Sequence, residues 1–210
     1  MIDRTVRDGT AYLVIGSVRG LLSEVPRVLA RLDEFAPERT AIGISPDEVE
    51  GLRTYFVGTE TEPVVPLAPT EAAEVRALTQ YGEVRVPNPT YPAILAWGRD
   101  RGIPVDPVDP SDDRYAEMFA DHIGYTELVR RTLRERRLSK RPPTPSTADE
   151  FAVAWGEPPS ERGGSARLAE SREAHLVAAV RALEGRPSRV AIVVDRERFD
   201  GVVAALGSPG

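Results

Sequence analysis

The chain has 210 residues, of which 41% are hydrophobic, and its formal net charge is −6. This length fits one domain of ordinary size. The absence of cysteine excludes disulfides, thiolate metal sites and cysteine nucleophiles. The negative charge argues against a general affinity for nucleic acid, and no apolar run is long enough to span a bilayer. We expect a cytoplasmic protein without a signal segment.

In the first half of the chain, apolar runs alternate with amphipathic segments. The run AYLVIG at 11–16 predicts a strand, and the next segment has apolar residues at helical spacing with Ser23 as a candidate N-cap. RTAIGI predicts a second strand. The pattern Ser45, Pro46 and Glu48 that follows is typical of a capping box, so a helix is predicted to begin at Pro46.

The middle of the chain adds helices, a short strand and a basic segment. TEAAEVRALTQYG and PAILAWGRDRG predict helices, and IPVDPVD predicts a strand before a helix that begins at about Ser111. A basic helix in YTELVRRTLRERRLSK leads into a proline-rich linker, and EPPSERGGS at 157–165 predicts a flexible loop. Residues 122–165 are therefore predicted to form a helical excursion, rich in basic residues, proline and glycine.

The last part of the chain predicts a long helix in ARLAESREAHLVAAVRALEG and a buried strand in RVAIVV that ends at the charged residues 195–198. The alternation of strands and helices predicts a single α/β domain over 1–210, with a central mixed or mostly parallel sheet flanked by helices. Ligands of such sheets bind at the carboxyl ends of the strands. The charged residues after RVAIVV therefore belong to a candidate site.

Three segments together resemble the TraB-domain family, which includes pheromone-shutdown proteins and TIKI-type metalloproteases. They are YLVIGSVRGLLSEVPRVLARLDEFAPERTAIGIS, PAILAWGRDRGIPVDPVD and SREAHLVAAVRALEGRPSRVAIVVDRERFDG. In that family one strand ends in a Gly-x-x-His motif, a second strand carries a glutamate, and a closing strand leads to another Gly-x-x-His-like motif. The resemblance implies a TraB-like fold with a cleft at these positions, where the family has a divalent-metal or acid/base site.

This chain departs from the family at the positions that matter for chemistry. Arg19 and Arg198 stand at the histidine positions, Asp195 stands at the second glycine, and Gly43 stands at the glutamate position. A guanidinium group has no lone pair to offer a metal, so we predict no metal, no cofactor and no catalytic residue of the family's kind. The favoured function is a catalytically inactive TraB-like domain that binds a ligand or partner. The predicted cleft consists of Gly16, Ser17, Arg19, Gly43, Ser45, Asp109, Asp195, Glu197 and Arg198.

Two interpretations of the arginines are open. Arg19 and Arg198 could present two planar forks to the carboxylate or phosphate of a small anion. Alternatively, they pair internally with Asp195, Glu197 or Asp200, and we favour this interpretation because loop charges usually pair locally.

Catalysis is an alternative function. In this hypothesis Asp195, Glu197 and Asp109 form a rebuilt carboxylate site of a hydrolase that depends on a divalent metal such as Mn²⁺ or Co²⁺. Paired carboxylates do acid/base chemistry when burial separates their pKa values.

The basic helix suggests a further alternative, an adaptor for an acidic partner. Its predicted surface is Arg130, Arg131, Arg134, Arg137, Lys140 and Arg141, with Leu128, Leu133 and Leu138 as a thin apolar contact to the rest of the chain. An acidic protein, a nucleic-acid backbone or an anionic membrane would fit such a surface. Nucleic acid is disfavoured because the basic run RRTLRERRLSKR has no aromatic residue to stack on bases and because the chain as a whole is acidic. A protein partner or a second copy of the chain is left open.

Overall fold

A five-stranded sheet forms the centre of the protein. The computed structural model describes residues 2–7, 9–57, 67–156, 163–183 and 187–207. The strands β1 to β5 are Ile2–Arg7, Thr10–Ser17, Arg39–Ile42, Val105–Pro107 and Arg189–Asp195. Their order is β1-β2-β5-β3-β4, with β1 antiparallel to β2 and all other pairs parallel. The predicted α/β class with a mostly parallel sheet is confirmed.

Helices cover the sheet and fill the long connection between β4 and β5. Within the described ranges, α1 to α9 are Glu24–Phe35, Pro46–Val57, Pro69–Leu78, Thr90–Arg101, Asp112–His122, Tyr125–Lys140, Ala148–Gly156, Gly164–Arg181 and Phe199–Gly207. Two 3₁₀ turns lie at Thr79–Tyr81 and Arg196–Arg198. None of these helices combines the length and the apolar character that crossing a membrane requires.

The strand β5 lies in the middle of the sheet and contributes to two cores. Ile192 packs with helices α8 and α9 on one face, whereas Val193 packs with α1 and α4 on the other. Every residue from Val190 to Val194 is buried. This explains the unbroken apolar run, because a parallel strand covered on both faces has no solvent side that requires polar residues.

The N-terminal strand β1 was not predicted. It pairs with β2 in a hairpin that runs from Ile2 opposite Ile15 to Arg7 opposite Thr10. The sequence IDRTVR contains three charged residues, so it forms no apolar run from which a strand would be predicted. The usable signal was the Asp8-Gly9 pair, a typical hairpin turn, and Gly9 has the positive φ of 82° that such a turn needs.

The helix starts differ in how well they follow their predictions. The predicted cap at Ser45 is confirmed, since its Oγ accepts a hydrogen bond from the Glu48 amide at 3.0 Å. The predicted cap at Ser23 is wrong: the residue stands at the N-cap position of α1, but its φ and ψ angles are already helical and its side chain makes no capping bond. The Glu24 carboxylate instead accepts a hydrogen bond from the Val18 amide at 3.0 Å.

The excursion also differs from its prediction. A loop was predicted at 157–165. Residues 157–162 lie outside the part of the chain that the structure describes, and α8 already begins at Gly164. Leu128 and Leu133 do not pack against the chain as predicted but are exposed. The reason is that α6 is held by polar groups, above all by buried Glu127, which accepts a hydrogen bond from the Ser165 hydroxyl at 2.7 Å.

Candidate functional site

A cavity of about 580 Å³ lies at the carboxyl edge of the parallel strands. We call it the site cavity. Its floor comes from the ends of β3 and β5, and its walls come from α5, α6, α8 and α9. This is the edge at which open α/β sheets usually bind ligands. The charged side chains around it are Arg19, Glu48, Arg131, Arg134, Glu135, Glu170, Arg172, Glu173, Asp195, Glu197 and Arg198.

Five of the nine predicted cleft residues line this cavity, namely Arg19, Gly43, Asp195, Glu197 and Arg198. The structure thus brings together residues from three separate regions of the chain. Gly43 has room for no side chain, since a Cβ there would lie 2.7 Å from a methyl group of Val194. Glycine at this position lets β3 lie close against β5.

The other four predicted cleft residues, Gly16, Ser17, Ser45 and Asp109, do not line the cavity. Gly16 packs against Phe199, buried Ser17 lies 3.4 Å from the Thr90 hydroxyl, and Ser45 caps α2. Each of these three has a structural role that accounts for it. Asp109 lies below the cavity surface and acts through the arginines described next.

Arg198 is the centre of a buried ion-pair network. Its Nε donates to Glu173 Oε1 at 2.9 Å, its Nη2 donates to Asp109 Oδ1 at 2.9 Å, and its Nη1 donates to the Gly43 carbonyl at 3.0 Å. Arg172 donates to the same Asp109 through Nε at 3.0 Å. Burial alone lowers the pKa of Arg198, but the two carboxylates raise it by more. Arg198 is therefore permanently charged, and its hydrogen bonds connect the end of β3, α8 and the loop after β4.

This network corrects the idea of an anion clamp made by Arg19 and Arg198. The donors of Arg198 are already engaged by Glu173, Asp109 and Gly43, so no fork is left for a ligand. Internal pairing is the correct interpretation for Arg198, although its partners are not the acids that were predicted. Those partners lie 25 and 89 residues away in the chain, too far for any local pattern to show.

Arg19 has a different environment. It is exposed at the site cavity and makes no hydrogen bond or ion pair within 4 Å to the described part of the chain. Asp195 raises the pKa of Arg19, so the guanidinium is charged at any physiological pH. Asp195 itself accepts a hydrogen bond from the buried Tyr91 hydroxyl at 2.9 Å, which orients the carboxylate at the end of β5.

Glu197 lies next to this pair in the 3₁₀ turn after β5. Solvent reaches its side chain through the cavity, but the surrounding protein desolvates the carboxylate and, together with the charge of Asp195, raises its pKa to about 7. Gly156 at the end of α7 packs so closely that a Cβ there would lie 2.4 Å from the Glu197 Cβ. Burial also raises the pKa of Glu48 and Glu74, with a further contribution from Asp195.

The surroundings of Arg19 hold more carboxylates than cations. The charges of Asp195, Glu74, Glu197 and Glu48 act on its guanidinium, and all of these except Glu74 line the site cavity. A raised carboxyl pKa means that the ionised form is disfavoured. The site would be stabilised by a ligand that brings positive charge or hydrogen-bond donors.

The residues present do not form a recognisable metal centre. Over the part of the chain that the structure describes, no three His, Asp or Glu side chains converge in a way that could hold a metal ion. Asp109 is committed to Arg172 and Arg198, which removes it from the rebuilt carboxylate site proposed for a hydrolase.

The predicted basic surface divides into two groups. Arg130, Arg137, Lys140 and Arg141 are exposed. Arg131 and Arg134 do not belong to the outer surface, because they line the site cavity. Arg134 donates to the carbonyl of Ala154 at 3.2 Å, and the Arg131 guanidinium lies 5.5 Å from the centre of the Phe119 ring. Contacts with neighbouring elements turn these two arginines inward.

The sequence did not indicate Tyr91, Glu48, Arg172 and Glu173 as site residues. Arg172 and Glu173 are two of several charged residues of α8, so their adjacency was only a weak signal. Nothing in the sequence around Tyr91 indicated that its hydroxyl meets Asp195, 104 residues later. No protein-family model, curated protein or solved structure matches this chain.

Proposed function

We propose that this protein binds a small polar ligand that presents an amine, or a comparable group of hydrogen-bond donors, to the acidic end of the site cavity. The observation that carries the proposal is the charge imbalance around Arg19, where Asp195, Glu197 and Glu48 face the same cavity. The surrounding protein partly desolvates Glu197 and Glu48 and raises the pKa of each, so a cationic group gains more from them than it would from acids on an open surface.

A second chamber supports a ligand with an apolar part. It has a volume of about 160 Å³ and shares Arg19, Glu48 and Tyr91 with the site cavity. Its remaining wall is mostly apolar and includes Leu52, Leu67, Val75, Leu78, Val84 and Val86. The acidic group thus lies between a polar and an apolar compartment, which suits an amphiphilic ligand.

Three probes of equal chain length test the charge preference: 1,4-diaminobutane, 1,4-butanediol and succinate. We expect the diamine to raise the melting temperature and succinate to leave it unchanged. A ligand at about ten times its Kd stabilises by about 1.4 kcal/mol, which is about 3–6 °C for a chain of this size. Glu197→Gln should reduce the diamine shift, whereas Glu34→Gln on the outer face of α1 should preserve it.

Stabilisation by succinate and not by the diamine would contradict the proposal. It would return the site to the anion-binding interpretation, with Arg19 as the candidate fork. Equal shifts with Glu197→Gln and with wild-type protein would also contradict it, since the diamine would then bind elsewhere.

Acid/base catalysis by a hydrolase is the second candidate function. It is favoured by one pair of residues: Asp195, oriented by Tyr91, and Glu197, whose pKa lies near neutrality. In this proposal Asp195 accepts a proton from an attacking water while Glu197 donates its proton to the leaving group. A carboxyl group that titrates near the working pH is suited to such transfer.

The premise of this second candidate is tested by the pH dependence of stability. The pKa of Glu197 rises from 4.5 to about 7 on folding, so between these values the folded state binds the extra proton and stability is lost as pH rises through 7. Glu197→Gln removes this loss. We expect the variant to gain about 1 kcal/mol over wild type at pH 8 relative to pH 5, less than the full shift would give because solvent reaches the carboxylate.

Urea denaturation at the two pH values measures this difference. A gain of the same size at pH 5 and pH 8 would mean that Glu197 does not titrate in this range, and acid/base catalysis through it would be abandoned. The TraB-like relationship and the cytoplasmic location stay predictions.

A further inference from the structure

We propose that this protein forms a two-fold symmetric dimer through the outer face of α6. Among the residues whose burial the structure describes, large apolar side chains are exposed at five positions, and four of the five lie on this helix. They are Tyr125 (81% exposed), Leu128 (47%), Val129 (41%) and Leu133 (58%). Their spacing of three and four residues places them on one stripe of the helix, which we call the α6 patch.

The orientation of α6 is the reverse of an ordinary amphipathic surface helix. Its inner side is held by polar groups, with Glu127 bound to Ser165 and Arg134 bound to the carbonyls that end α7. Its apolar stripe faces outward. Contiguous exposed apolar surface on a helix marks an interaction site.

Charges of opposite sign lie at the two ends of the α6 patch. After Leu133 the exposed charged residues are mostly basic, namely Arg136, Arg137, Lys140 and Arg141, with Glu135 as an exposed acid among them. Before Tyr125, the end of α5 carries exposed Glu117 and Asp121. Along the chain the exposed charges are therefore acidic before the apolar residues and mostly basic after them.

This order makes the surface complementary to itself. A two-fold axis through the α6 patch places apolar residues on apolar residues and brings the basic end of each copy against the acidic end of the other. An anionic membrane fits less well, because exposed Asp121 lies only four residues before Tyr125, the first of the apolar residues that would have to insert. The charge arrangement therefore favours a second copy of the chain.

The oligomeric state of the full chain tests the proposal. The α6 patch is one helix wide, smaller than a permanent interface, so we expect a monomer–dimer equilibrium with a Kd of about 10–100 µM in sedimentation velocity. Leu133→Glu should leave only monomer at about 200 µM. The matched control is Val86→Glu, which changes an exposed large apolar residue outside α6 and should dimerise like wild type.

Charge reversal tests the two-fold geometry. One variant carries Arg136→Glu with Arg137→Glu, and a second carries Glu117→Lys with Asp121→Lys. Each variant alone is expected to be monomeric, because like charges then face each other at both ends of the interface. An equimolar mixture should restore the dimer, since in the mixed pair every acidic end again meets a basic end. All four positions are exposed, and circular dichroism confirms folding.

Three results would overturn the proposal. They are a wild-type protein that stays monomeric at about 200 µM, a dimer that persists in Leu133→Glu, and a mixture of the charge variants that stays monomeric. Flotation with vesicles of phosphatidylglycerol and phosphatidylcholine is run in parallel. A monomer that floats with them through Leu133 would assign the α6 patch to a membrane surface instead.

Discussion

Replacing Arg198 by alanine is expected to lower the free energy of unfolding by about 3–5 kcal/mol. The substitution leaves Glu173 buried without its partner, deprives Asp109 of one of its two arginines, and removes the donor to the Gly43 carbonyl. A buried charge that loses its partner keeps its full desolvation cost. Urea denaturation at pH 7 measures the loss.

Two further variants distinguish the loss of the buried ion pairs from the loss of an arginine in general. Arg137→Ala removes an exposed arginine of α6 and is expected to change stability by no more than about 0.5 kcal/mol. Combining Arg198→Met with Glu173→Gln removes both members of a buried pair, so it should cost less than Arg198→Ala alone. If Arg198→Ala cost no more than Arg137→Ala, the network would not hold the ends of the strands together.

Phe151→Ala is expected to cost about 3–5 kcal/mol as well, for an apolar reason. Phe151 is fully buried on α7, where its ring lies 5.9 Å from the Tyr81 ring and 5.5 Å from the Trp155 ring, measured between centroids. It is the largest buried residue of a small core that also contains Val18 and Leu21. Truncation leaves a cavity that these few neighbours can close only in part.

The same variant should loosen the wall of the site, because α7 carries Gly156 against Glu197. Hydrogen exchange of the α7 amides is expected to quicken in Phe151→Ala, while the amides of β5 exchange only by global unfolding. Glu34→Ala, which truncates an exposed side chain of α1, serves as the control and should alter neither. Unchanged exchange in α7 would show that Phe151 does not anchor this helix.

Local chemistry was sufficient to predict the parts of the fold that depend on neighbours in the chain. The run Val190 to Val194 predicted a buried strand because a strand covered on both sides needs apolar residues at every position. Ser45 predicted the start of α2 because a cap acts over only three residues. The same limit explains the error at Ser23, where a serine before an amphipathic segment looked like a cap although Glu24 makes the bond that closes the turn.

The candidate site could be predicted only in part. The sequence by itself determined that Asp195, Glu197 and Arg198 leave a central strand at its carboxyl end, where a parallel sheet places its ligands. It did not determine what each side chain does there. Burial of Arg198 against Glu173 and Asp109, and exposure of Arg19 beside Asp195, made one arginine structural and left the other available.

The tertiary structure alone decided the direction in which α6 faces. Its leucines predicted an apolar contact with the chain, but the bonds made by Glu127 and Arg134 turn Leu128 and Leu133 outward. Periodicity in a sequence shows which residues share a face of a helix, and it cannot show which face meets the protein. That choice depends on partners far away in the chain, whose hydrogen bonds and ion pairs exist only after folding has brought them together.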